Sequence, residues 1–144
     1  MKHPFLKHNS PLAFAHRGGA SDAPENTMPA FQRAIDLGYI YIETDVHSTR
    51  DGVLLAFHDD DLSRTCGRPG KISELDYAEV RQARVNGVEP IPLLEDLLST
   101  WPKAHINIDC KSDQALKPLA DRLAQTAGQD EIFERVCIGS FSDK

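Results

Sequence analysis

The chain has 144 residues, a formal net charge of −6 and 26% charged residues. That length suits one domain with room for a core, and the acidic balance lacks the basic stripe that general nucleic-acid binding needs. Anionic substrates stay open, because a local Arg, Lys or metal ion reverses the field at a site. The longest unbroken apolar run, Val53–Phe57, is too short to cross a membrane. Met1–Asn9 has no apolar stretch of the signal-peptide kind. Cys66, Cys110 and Cys137 form no CxxC and are odd in number, so a reduced, cytoplasmic setting is the default.

In chain order, Pro11–His16 is a short apolar run ending in Arg17-Gly18-Gly19, which predicts a buried strand feeding a glycine-rich loop. Thr27 caps a helix with Met28 and Pro29 in its first turn; Phe31, Ala34, Ile35 and Leu37 form its apolar face and Gly38 stops it. Tyr39–Asp59 reads as two strands joined at Asp51-Gly52. The first puts Glu43 and Asp45 on one face and Ile40, Ile42, Thr44 and Val46 on the other. The second, Val53–Phe57, delivers His58. Asp59–Gly70 is a polar loop in which Asp59, Asp60 and Asp61 are solvated or cap turns. Ile72–Leu75 and Tyr77–Arg84 are short helical pieces, the second capped by Ser73. Leu93–Thr100 is a helix ended by Trp101-Pro102, and His105–Lys111 is a strand. Ser112 starts a helix over Asp113–Ala127, with Leu116, Leu119, Ala120 and Leu123 on one side and Gly128 closing it. Arg135–Gly139 is the last strand. Strands alternating with helices predict an α/β protein with a mainly parallel sheet. Periodicity leaves both an open sheet and a barrel available.

Four strand ends carry ionisable groups: His16 and Arg17, then Glu43 and Asp45, then His58, then Asp109 and Lys111. Taken singly, each has an ordinary structural explanation, and His47, on the face of Asp45, is assigned one, as are the cysteines. In a parallel α/β sheet, however, these ends gather on the edge where ligands bind. Glu43, Asp45 and Asp109 are an all-oxygen donor set of the kind hard cations such as Mg²⁺ or Ca²⁺ prefer. The two imidazoles suit a general acid and base, and Arg17 and Lys111 suit an anionic phosphate. The class of reaction these groups point to is metal-assisted phosphoester cleavage.

With these residues the sequence resembles the glycerophosphodiester phosphodiesterases, of the PLC-like phosphodiesterase superfamily. The resemblance runs through AHRGGASDAPENTMPAF (Ala15–Phe31), IETDVHSTRDGVLLAFHDDDLSRTCG (Ile42–Gly67), IPLLEDLL (Ile91–Leu98) and NIDCK (Asn107–Lys111). It implies a TIM (β/α)8 barrel with a short insertion and a site at the C-terminal strand ends. It also implies His16 and His58 as catalytic acid and base, Glu43 and Asp45 as ligands of the divalent cation, and Arg17 and Lys111 as phosphate contacts. Asp109, the third carboxylate, stands where the family usually has Glu. The implied reaction is hydrolysis of a small-molecule glycerophosphodiester to sn-glycerol 3-phosphate and an alcohol such as choline or ethanolamine. A glycerol hydroxyl acts as internal nucleophile. The alternative within the superfamily is lysophospholipase D or sphingomyelinase D activity on a lipid phosphodiester. A TIM barrel takes roughly 250 residues, so the chain is expected to hold about the first five strands, with residues 1–10 an N-terminal extension and 11–144 a partial barrel. Unclosed edges favour self-association, and an inactive half-barrel is the third reading.

Overall fold

The computed structural model describes residues 3–19, 21–125 and 130–140. The chain runs β1 (Phe14–Ala15), α1 (Met28–Asp36), β2 (Tyr41–Ser48), β3 (Leu54–Ala56), α2 (Ser63–Cys66), α3 (Tyr77–Val80), β4 (Arg84–Val85), β5 (Glu89–Pro90), α4 (Leu94–Thr100), β6 (His105–Cys110), α5 (Asp113–Ala124), α6 (Asp130–Arg135) and β7 (Val136–Gly139). Strands β1, β2, β6 and β7 lie side by side in that order and are parallel, while β3 runs antiparallel on β2. With helices on the crossovers, this is the α/β arrangement expected from the sequence, in the form of an incomplete (β/α) barrel.

Strand β2 is the centre. Its residues Tyr41 to Val46 pair with β6 along one edge. The other edge is divided: Tyr41 and Ile42 pair with β1, and Val46, His47 and Ser48 pair with β3. Alternation separates two faces. Ile42, Thr44 and Val46 are fully buried. They join Ile106, Ile108 and Cys110 of β6 in a core closed by Phe31 and Ala34 of α1, Leu94, Leu97 and Leu98 of α4, and Ala115 and Leu119 of α5. The opposite face is a ladder in register: Tyr41 beside His105, Glu43 beside Asn107, Asp45 beside Asp109. Tyr41 and His105 rings are 4.7 Å apart, and Phe5 packs edge-on to both. The ladder thus climbs from an aromatic floor to carboxylates at the C-terminal strand ends. Residues 55–91 hold a second core of their own, with Leu55, Phe57, Leu62, Ile72, Val80 and Val85 buried together.

Several expectations are corrected. The first strand shortens to two residues, and Phe14 is exposed rather than buried. Ile40 lies before β2 and is half exposed, and Leu37 caps α1 from the solvent side. Gly38, at φ 90°, is the left-handed stop expected after α1. The polar loop contains the single turn α2, held by a hydrogen bond from Cys66 N to the Leu62 carbonyl, 3.0 Å. Asp76, not Ser73, caps α3: its N–H donates to Glu79 Oε2, 3.0 Å away. Tyr77–Arg84 is helical only to Val80 and then enters a hairpin, β4 and β5, turned by Asn86 and Gly87 at φ 50° and 76°. In α5, Ala115, Leu119 and Leu123 face the core, whereas Leu116 and Ala120 are exposed. The expected end of that helix at Ala127 and Gly128 lies outside the described residues. A short α6 precedes the last strand and takes in Arg135, so that strand begins at Val136 rather than Arg135. Phe5, within the segment assigned to an extension, is buried against Tyr41, whose hydroxyl donates to the Phe5 carbonyl at 2.7 Å. Cys110 is buried in the core as expected, while Cys137 is exposed; Cys66, Cys110 and Cys137 are all free.

Candidate active site

The turn after β1 sets the first part of the site. His16–Gly18 is a 3-10 turn in which Arg17 adopts φ 51° and Gly18 φ 80°. A left-handed Arg is a strained position. Here it points the Arg17 N–H at Glu43 Oε2, 3.0 Å away. Gly18 lies against α1: a Cβ there would meet Ala30 and the Phe31 ring at 3.0 Å. Gly18→Ala is therefore expected to cost about 1–3 kcal/mol, from strain at positive φ plus the clash. An unchanged urea midpoint for that variant would show that the turn is not pinned.

Asp45 is the hub. Its side chain is 1% exposed, with Arg17 Nε 3.3 Å from Oδ2 and Lys111 Nζ 3.2 Å from Oδ1. Asn26 Nδ2 donates to Oδ2 at 2.9 Å, and Asn26 Oδ1 accepts from Thr44 Oγ1, also 2.9 Å. Asn26 sits at φ 53°, a conformation Asn tolerates better than most residues. Thr27 caps α1, accepting from Ala30 N and donating to the Pro24 carbonyl at 2.6 Å. Lys111, one residue past β6, reaches Asp109 Oδ2 at 2.5 Å.

Glu43, Asp45 and Asp109 each bring a carboxylate oxygen within 4.8 Å of the others. Asp109 Oδ1 is buried and has no hydrogen-bond partner among the described residues. Burial is the largest cause raising the Glu43 pKa above its ordinary value, and the Asp45 and Asp109 charges add to it; the Arg17 N–H and His16 oppose. Two buried carboxylates and a half-buried one, an orphaned oxygen and a carboxyl that resists ionisation together fit a hard cation. A raised folded-state pKa means the protonated form favours folding. That stability is full below the ordinary glutamate value and is lost as pH rises through the raised one. Without added metal, Glu43→Gln is therefore expected to be the more stable protein at neutral pH, with the difference shrinking on acidification. Thermal melts at several pH values check it; a less stable variant at neutral pH would refute it.

The two histidines stand apart from this hub. His16 Nε2 is 4.0 Å from Glu43 Oε2, on a side chain that is 71% exposed. His58 lies two residues past β3, and its Nδ1 is 2.6 Å from Asp59 Oδ1. The buried His47 ring donates from Nε2 to the His58 carbonyl, 2.9 Å away. Asp60 is exposed, and Asp61 accepts from Ser63 N at 2.8 Å, as a turn-capping residue should. Asp59 departs from the solvated loop expected for it. Arg64 grips it through Nε to Oδ2 at 2.6 Å and Nη2 to Oδ1 at 2.9 Å. Arg64, first among the causes, holds the Asp59 pKa down to about 2. Glu25, Asn26, Asp59 and Arg64 are thus site residues that sequence reasoning passed over. Spacing along the chain does not reach such partners, which meet only in space.

Residues 16–137 match the model of the glycerophosphoryl diester phosphodiesterase family, to which the chain belongs. It is 43% identical over 141 residues to the "probable glycerophosphodiester phosphodiesterase 2" of Mycobacterium tuberculosis, covering 97% of this chain and 52% of that protein. It is 37% identical over 110 residues to the lysophospholipase D GDPD1 of Homo sapiens, covering 67% of this chain and 35% of that one. The crystal structure of a glycerophosphodiester phosphodiesterase from Agrobacterium tumefaciens superposes with a TM-score of 0.81 at 28% identity, covering 93% of this chain and 59% of that one. An Oleispira antarctica phosphodiesterase in complex with the product sn-glycerol-3-phosphate superposes at 0.73, with 27% identity, over 92% and 58% of the two chains. The chain therefore spans about half the length of the first of these relatives. Among the described residues no helix is long and apolar enough to cross a membrane.

Proposed function

We propose that this chain carries the catalytic residues of a metal-dependent phosphodiesterase that cleaves glycerophosphodiesters to sn-glycerol 3-phosphate and an alcohol. The observation that carries this reading is the trio of Glu43, Asp45 and Asp109 oxygens within 4.8 Å, flanked by Arg17 and Lys111. Family membership supports the substrate class. Glu43, Asp45 and Asp109 would hold a Mg²⁺ or Ca²⁺ ion. Such a cation, when bound, supplies charge neutralisation at the phosphate. Arg17 and Lys111 then turn part of their charge toward the phosphate oxygens. Of His16 and His58, one takes the proton of the glycerol hydroxyl as it attacks phosphorus, and the other protonates the leaving alcohol. Water then opens the cyclic phosphate. The 144-residue chain is expected to release choline from glycerophosphocholine and to lose that activity with EDTA. Turnover that survives EDTA sinks the metal requirement.

A lipid diester is the second substrate class, favoured by the 37% identity to the human lysophospholipase D. Comparing turnover of glycerophosphocholine with that of lysophosphatidylcholine separates the two. A chain inactive on both, but active when a second segment is supplied, would favour the half-barrel reading.

A further inference from the structure

Three linked charged groups, Asp59, Arg64 and Glu25, have no task in the chemistry above. Asp59 accepts from His58 and from the Arg64 fork. Arg64 Nη2 also donates to Glu25 Oε1, and Glu25 Oε2 accepts from Arg17 Nη1 at 3.0 Å. Four separate pieces meet in this network: the loop after β3, the single turn α2, the loop before α1 and the turn after β1. A cavity of about 420 Å³ opens beside Glu25 and Arg64.

The network determines how His58 is presented. Asp59 is ionised far below neutral pH, and a carboxylate only accepts hydrogen bonds. At 2.6 Å from Asp59 Oδ1, Nδ1 of the ring must therefore carry the hydrogen. The neutral imidazole then keeps its lone pair on Nε2. His47 holds the His58 backbone through the carbonyl, which leaves the ring orientation to Asp59. An Arg is suited to the far side because its planar fork holds both oxygens of Asp59 at once, which a Lys ammonium does not.

We propose that Asp59 is the positioning residue of His58, placing the ring hydrogen on Nδ1 so that Nε2 moves the proton, and that Arg64 locks Asp59 by tying it through Glu25 to Arg17. This rests on the reading of His58 as an acid–base group.

The test is Asp59→Asn. The carboxamide offers one oxygen to three donors, and the charged Arg64 fork takes it. Its NH₂ group then faces the ring, can only donate, and drives the hydrogen to Nε2. Ring-nitrogen NMR of the full chain is expected to show the Nδ1–H form in the wild type and the Nε2–H form in Asp59→Asn. On glycerophosphocholine, kcat is expected to fall ~100-fold or more with KM changed less than about threefold. Arg64→Lys, which keeps the charge and loses the fork, is expected to give mixed ring forms and about a tenfold loss in kcat. An unchanged ring form in Asp59→Asn, or a raised KM with kcat intact, overturns the proposal. If Asp59→Asn does not fold, an unaltered Nδ1–H signal in Arg64→Lys does so. A wild type without turnover counts against the functional reading, whereas the ring signals still decide the positioning.

Discussion

Asp45→Ala is expected to remove divalent-cation binding and to destabilise the protein by about 3 kcal/mol. The side chain is 1% exposed, lies within ion-pair distance of two cations, Arg17 and Lys111, and accepts from the Asn26 amide. Removing one partner of a buried pair costs ~3–5 kcal/mol, because the charge left behind stays buried. The lower end applies here, since Arg17 keeps Glu25 and Lys111 keeps Asp109. The contrast with Glu43→Gln is diagnostic. Both variants should lose the cation, yet they should move metal-free stability in opposite directions. Urea denaturation in EDTA, beside calorimetric titration with Mg²⁺ and Ca²⁺, reads both. An Asp45→Ala protein as stable as the wild type would show that the hub is not structural.

His58→Ala and His16→Ala are each expected to lower kcat by ~10²–10⁴, the usual contribution of a positioned acid or base. Neither ring belongs to the carboxylate trio, so cation affinity should be retained in both. A base that takes one proton and an acid that gives another in the same displacement act as a unit, so the double variant should be little worse than the poorer single one. Additive losses would mean that the two histidines serve separate steps. A kcat within a few-fold of the wild type for either single variant would remove that residue from the mechanism.

What the sequence revealed follows from what leaves a local trace. Glu43 and Asp45 were legible because a strand repeats every two residues, and β2 is eight residues long. The core face of α1 was legible for the same kind of reason, with Phe31 and Ala34 at helical spacing. The β4–β5 hairpin carried its turn signal in Asn86-Gly87, but two-residue strands are too short to show alternation. Leu116 shows the limit of apolarity as a guide: it is exposed while its neighbour Ala115 is fully buried, because the rotation of α5 is set by tertiary packing. Glu25, Asn26, Asp59 and Arg64 owe their roles to partners up to 39 residues away. No spacing rule encodes such contacts. Asp59 in particular sat in a run of three acids whose simplest explanation was solvent, and the Arg64 fork and the His58 ring set it apart from Asp60.

The divided edge of β2 has a geometric consequence. Val46 pairs with Cys110 on one side and Ala56 on the other, so β1 and β3 occupy the same edge. Strand β1 travels up that edge and stops at Ile42, opposite Ala15. Strand β3 travels down it, and the Phe57 N–H reaches the Asp45 carbonyl. The two backbones approach head-on, leaving Glu43 and Thr44 between them, a gap of about 10 Å at strand rise. His16 is the next residue of one backbone and His58 the next of the other. Both imidazoles are thereby delivered level with the carboxylates from opposite directions. Their separation is counted out in peptide units along a single strand, so a shift in pairing on either side would change the span between the base and the acid that must flank one phosphate.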